Sequence, residues 1–179
     1  MSKKIVIPVI CLAALIGAAV WFVSALKVHG LSARAKPSRF EAFLAERVRD
    51  LATPAATRER RNPLSPTPLD IAEGRDHFAD HCAICHANNG SGRTQIGGNM
   101  YPPAPDMRES GTQNLTDGEL FSIIENGVRF TGMPGWDGEA EDNWKLVLFI
   151  RHLPQLSQQE LELMKEINGQ GPEMETSAH

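Results

Sequence analysis

The chain has 179 residues, 22 of them acidic and 18 basic, 41 % hydrophobic, with three cysteines and a net charge of −4. One small domain with accessory segments fits that length, and three cysteines make a disulfide framework untenable. The charge is unevenly spread: residues 1–66 carry eleven Lys or Arg against four acids, residues 67–154 six against thirteen, and the remainder one against five. An acidic central part excludes nucleic acid as a partner and favours proteins with a basic docking face.

Residues 1–4 contain Lys3 and Lys4, and residues 5–26 then run without a charge. At 1.5 Å per residue such a run spans roughly 33 Å, enough for a hydrocarbon core of about 30 Å. A cleaved signal peptide would carry a shorter apolar core, of about 7–15 residues, so an uncleaved transmembrane anchor is expected. Lys27, Arg34, Lys36 and Arg39 on the far side leave the charge bias ambiguous. Cys11 lies inside the run and reads as a small buried hydrophobe.

A two-part connector follows, over residues 27–66. Ser38 with Glu41 forms a capping-box pattern, and Phe40, Phe43, Leu44, Val48 and Leu51 recur at helical spacing. They predict an amphipathic helix over residues 38–52, whose apolar stripe needs the folded domain that follows, the membrane interface or a partner to cover it. Pro54, Pro63, Pro66 and Pro68, with Arg58, Arg60 and Arg61, then predict a semi-rigid basic linker that could meet anionic lipid.

Residues 67–154 form the folded domain. Thr67, Pro68 and Asp70 start a helix with Ile71, Gly74 and Phe78 on one face, running into Cys82-Ala-Ile-Cys85-His86. Two thiols three apart, with an imidazole directly after, are the pattern of a c-type haem attachment site. The alternatives are a thioredoxin-like dithiol, which wants a strand–helix surround, and half a zinc site, which lacks a second cysteine pair although His77 and His81 could lend imidazoles. Residues 88–98 are a Gly/Asn-rich loop, followed by Tyr101 and the prolines Pro102, Pro103 and Pro105. Thr116 and Glu119 form a second capping box before Leu120, Phe121, Ile123 and Ile124, with Asn126-Gly127 as the stop. A last helix covers about residues 139–153, with Trp144, Val147, Leu148 and Arg151 at helical spacing. No stretch reads as a strand, so the fold class is all-α: three to four short helices around a haem, preceded by a single transmembrane helix. So small a domain needs a staple, and a covalently held apolar macrocycle supplies one.

Between the last two helices of the domain lies Phe130-Thr-Gly-Met133-Pro134-Gly-Trp136. A methionine between glycine and proline sits on restricted, non-helical backbone and can be held toward a metal. Thioether sulfur is a soft ligand, and Met/His ligation raises the potential of haem iron. Met100 and Met107 compete for that role, while Met164 and Met174 lie in the tail.

These residues resemble the class I cytochromes c, in particular membrane-anchored single-haem bacterial members. The resemblance covers residues 67–154 and rests on Gly74 and Phe78, the attachment motif, Met133-Pro134, and the terminal Val147-Leu-Phe149-Ile-Arg151. It implies one covalently bound haem c, held through Cys82 and Cys85, with His86 as proximal and Met133 as distal iron ligand. It also implies that Gly74 and Phe78 cross the last helix near Phe149. A loop proline carbonyl, that of Pro103 by preference over Pro102 or Pro105, is expected to orient His86. A thioether-linked haem belongs on the outer side of the membrane, which places the N-terminus in the cytoplasm and the haem domain in the periplasm. With both axial positions filled, the expectation is a one-electron carrier, not an enzyme, passing electrons between respiratory or photosynthetic partners. The alternatives are a fixed cytochrome subunit of a respiratory complex, and a haem enzyme or gas sensor in which Met133 is labile. Residues 155–168 predict a further helix capped at Ser157 and Glu160, and the tail to 179 is expected to be flexible.

Overall fold

The computed structural model describes residues 3–30 and 32–169 of the chain. The chain divides into two units, Met1–Ala35 and Lys36–His179. All regular structure among the described residues is helical. Of the expected flexible tail, residues 169–179, Gly169 caps the last helix through its N–H to the Lys165 carbonyl, and residues 170–179 lie outside the described residues.

The first unit is one helix, α1 (Lys3–His29), containing a 23-residue span, Val6–Val28, with mean hydropathy 2.6 and nothing buried. A helix that is apolar all round, with no protein covering it, has lipid as its natural surround. Pro8 falls in the first turns and does not break it. Cys11 is exposed on this helix, not buried as its small apolar character suggested, because no second element packs against α1 within the unit.

The second unit begins with α2 (Arg39–Ala52), where Ser38 accepts from the Glu41 N–H and the Glu41 carboxylate accepts from the Ser38 N–H. The next stretch departs from expectation. Residues 54–68 are not a free extended linker: Ala55–Glu59 forms a short helix, α3, that packs on the start of a later one. A Cβ on Gly118 would lie 2.0 Å from the Thr57 carbonyl oxygen, so the two backbones touch there and only glycine fits. Arg58 pairs with Glu119 at 3.2 Å, the Arg60 guanidinium sits 4.0 Å from the centroid of the Phe121 ring, and Asn62 Nδ2 donates to the Trp144 carbonyl at 3.0 Å. Charge–carboxylate and cation–π partners on the haem domain capture these two arginines, which are therefore not free for lipid headgroups.

Helix α4 (Pro68–His77) starts on a Thr67 cap and passes through a π-helical turn, Phe78–Cys82, into α5 (Ala83–His86). After the loops come α6 (Ser110–Gln113), α7 (Asp117–Asn126, with the Thr116–Glu119 capping box formed), α8 (Ala140–His152) and α9 (Gln158–Asn168). The α4–α8 crossing is the principal contact of the unit. It depends on Gly74, where a Cβ would meet the Lys145 carbonyl oxygen at 2.2 Å and Phe149 Cβ at 3.2 Å. One turn on, the Phe78 and Phe149 rings lie 5.2 Å apart, where the resemblance implied they would meet. Lys145 spans the crossing, bonding Glu73 at 2.7 Å and Glu141 at 2.8 Å.

The core includes Phe78, Ala83, Met107, Leu120, Phe121, Trp144, Val147, Phe149 and Leu153, together with Met164 from α9. Met164 is fully buried, so α9 is part of the packed domain and not a peripheral tail segment. Apolar spacing alone hid this, because only one strong anchor faces inward.

Candidate functional site: the Cys82–His86 haem centre

The π-helical turn delivers the site. Its widened register sends the Ala83 N–H to the Phe78 carbonyl, and such turns recur at functional sites because they re-aim the following residues. The carbonyl of Ala79, inside the turn, accepts from Asn168 Nδ2 at 2.8 Å, and the same Nδ2 donates to Asn88 Oδ1 at 2.6 Å. The end of α9 thus braces the attachment segment, a link with no sequence signal.

Cys82 and Cys85 are free, half-buried thiols. Burial pushes the Cys82 thiol up to about 12, with Cys85 adding to the shift, and burial raises Cys85 as well. A redox dithiol needs the opposite, a lowered thiol pKa, so this pair is unsuited to disulfide exchange. Among the described residues no group of three or more His, Cys, Asp or Glu could hold a metal ion, which removes the support for a zinc reading.

His86 is 7 % exposed, and burial takes its imidazole down to about 4, so the ring is neutral with a lone pair to give. Its Nδ1 is sealed from solvent and has no hydrogen-bond partner in the protein. A buried neutral imidazole, beside two unpaired thiols on one helical turn, fits a covalent haem with iron ligated by one ring nitrogen. The adjoining backbone is built for the same purpose. Ala87 turns the chain at φ 60°, Gly92 N–H donates to the His86 carbonyl at 2.9 Å, and Thr94 Oγ1 donates to the Cys85 carbonyl at 3.2 Å. Gly97 lies where a Cβ would be 2.0 Å from the Cys85 oxygen, and its own carbonyl accepts the Ala104 N–H at 2.9 Å. The proline segment is therefore laid against the loop that wraps Cys85 and His86. Of its three prolines, Pro103 is half-buried and Pro102 and Pro105 are exposed.

The methionines separate by environment. Met107 is in the core, where Gln113 Nε2 donates to its carbonyl at 2.7 Å. Met100 is half-buried, its sulfur packed where a Gly132 Cβ would be 2.0 Å away. Met133 is half-buried in a turn held by its N–H to Thr131 Oγ1 at 3.1 Å and its carbonyl to the Val128 N–H at 3.1 Å. A long-range contact brings His86 and Met133 together. The loop is pinned near the attachment helix by Trp136, whose N–H donates to the Ile124 carbonyl at 3.0 Å and whose ring meets His81 edge-on at 5.4 Å. His77 faces His81 at 4.8 Å. Aromatic contacts therefore occupy both histidines. The Trp136–His81 contact escaped the sequence reading because the two residues lie on separate elements.

Residues 69–150 match the family described as cytochrome c oxidase, cbb3-type, subunit III, rather less than half of the chain. Among curated proteins, the thiosulfate dehydrogenase of Stutzerimonas stutzeri (strain A1501) is 40 % identical over 47 residues, which are 25 % of this chain and 15 % of that protein. This chain thus matches only a small part of that relative's length. With the attachment motif and the family match together, residues 69–150 are similar to a c-type cytochrome domain, and Cys82, Cys85 and His86 fit one covalent haem c. It is anchored by a single membrane-spanning helix with that domain on the periplasmic side.

Proposed function

We propose that this protein works as a fixed cytochrome subunit of a membrane respiratory complex, passing single electrons to or from its neighbours. The observation that carries this reading is the match of the haem domain to a cbb3-type oxidase subunit, which favours a complex over the freely shuttling carrier also considered above. The name of the thiosulfate dehydrogenase belongs to a much longer protein, and the shared segment is too small a part of it to carry that activity here.

The bound haem supplies a ferric–ferrous couple. The chain's own residues would hold and tune it: Cys82 and Cys85 as thioether anchors, and His86 and Met133 as iron ligands. Met133 is favoured because Met107 is spent in the core while the Met133 turn is tied toward the attachment helix. Pro103 is the proposed acceptor for His86 Nδ1 once the haem is bound, since it is the half-buried member of a proline segment docked beside that residue's loop. An acceptor there would fix the imidazole plane and raise its basicity. The acidic charge of residues 67–154 points to neighbours with a basic face.

Mild-detergent extraction of native membranes tests the complex. The haem-stained chain is expected to co-migrate with oxidase subunits, and migration as a lone species would instead establish a tethered carrier. Met133→Ala tests the ligand: the sulfur-to-iron charge-transfer band is expected to vanish and carbon monoxide to bind the ferrous protein. A band that survives in that variant assigns the sulfur elsewhere.

A further inference from the structure

Helix α2 has no part in the function proposed above. None of its residues is buried. Phe40, Phe43, Leu44, Val48 and Leu51 are 50–88 % exposed and form one continuous stripe at helical spacing. Its links to the haem domain are polar: Tyr101 OH donates to Glu41 Oε1 at 2.6 Å, and Arg58 reaches the Asp50 carbonyl. A stripe of two phenylalanines, two leucines and a valine left in water is a standing cost unless something apolar covers it.

We propose that α2 is a membrane-surface helix, its stripe seated at the headgroup–acyl boundary of the bilayer that the anchor spans. Two observations select lipid as the occupant. Nine residues separate His29 from Arg39, so the chain itself limits α2 to within about 30 Å of the end of the membrane span. The segment is also cationic in the right places. Arg34, Lys36, Arg39, Arg47 and Arg49 stand along it, against Glu41, Glu46 and Asp50, of which Glu41 is occupied by Tyr101 and Asp50 lies 3.6 Å from Arg47 and 3.7 Å from Arg49. The Arg47 guanidinium lies over the Phe43 ring at 5.4 Å, so its charge extends from the stripe while its stem covers apolar surface. Apolar area plus basic charge is the combination that binds acidic phospholipid surfaces. Through Glu41 and Tyr101, such a helix would tie the loop beside the haem centre to the membrane plane. The proposal rests on the anchor and not on which complex the protein joins.

The test uses the full-length, haem-loaded chain, with Cys11→Ala, reconstituted alone in vesicles of mixed zwitterionic and anionic phospholipid. Nitroxide labels are placed singly at Leu44→Cys, Leu51→Cys and Glu46→Cys, and the visible spectrum confirms that each variant is folded. Collision with oxygen, which partitions into lipid, is compared with collision with a water-soluble nickel chelate. The expected result is high oxygen and low nickel access at positions 44 and 51, and the reverse at 46. Equal nickel access at all three positions would show a helix in water and overturn the proposal. Low access to both reagents at 44 and 51 would show a second copy covering the stripe, and would overturn it too.

Discussion

At the scale of single residues, the site is decided by what burial does to a few polar groups. Burying an imidazole costs its charged form, so His86, taken down to about 4, is neutral at pH 7, and a neutral ring is the form that ligates iron. The same physics makes Cys82 and Cys85 poor exchange thiols. In the loop that carries Met133, Gly132 and Met100 form a steric pair. An alanine at 132 would place its Cβ 2.0 Å from Met100 Sδ, and a flexible thioether can move aside only by leaving its seat. Gly132→Ala is expected to shift the sulfur-to-iron band through the adjacent Met133, and Gly132→Ala with Met100→Ala to restore it. Absorption spectra of the ferric proteins check this, and an unshifted single variant would show that Met100 does not pack on the ligand loop.

At the scale of elements, the α4–α8 crossing holds the attachment helix in place. The atoms that a Gly74 Cβ would strike belong to the Lys145 backbone, which cannot swing away as a side chain can. Gly74→Ala is therefore expected to destabilise the haem-loaded protein by about 1–3 kcal/mol, read as a lowered Tm. Helix α9 is held by a different device. Burial alone would raise the Glu160 carboxyl, but hydrogen bonds from Ser157 Oγ at 2.6 Å and its N–H at 2.8 Å, with His152 at 2.8 Å, hold it below its ordinary 4.5. A carboxyl depressed by folding adds stability above its unfolded pKa, and that contribution is lost as pH falls through the folded value. Wild type is expected to exceed Glu160→Gln in stability at neutral pH, with the gap closing as the pH drops below 4.5. Denaturant titrations across that range measure it, and a gap independent of pH would mean that the cap works uncharged.

At the scale of the whole molecule, the division into Met1–Ala35 and Lys36–His179 has a practical consequence. Cleavage within residues 32–38 is expected to sever the haem domain from the anchor with its visible spectrum unchanged, since the residues of the core packed around the haem centre all lie beyond that segment. Residues 55–64 should resist the same protease, because α3, Arg60 and Asn62 are docked on α7 and α8. Cutting at 55–64 before 32–38 would show that this docking is weak. Protease protection of residues 55–64 therefore does not separate a fixed subunit from a tethered carrier, and co-migration of the complex is the better discriminant.

Much of this protein was legible without a structure, for a definite reason. Covalent attachment, capping boxes and a membrane span are local chemistry: Cys82, Cys85 and His86 lie on one turn, Ser38 with Glu41 and Thr116 with Glu119 act three residues apart, and α1 needs no partner but lipid. What tertiary structure alone decided is where residues distant in sequence meet. It docked a proline- and arginine-rich stretch, read as a spacer, through Arg60 on Phe121, and it drew α9 into the core through Met164 and Asn168. It also set Met100 against Gly132 while committing Met107 to the core. Such pairings depend on the burial of a few side chains against surfaces that the intervening chain does not encode locally, and no periodicity within either segment announces them.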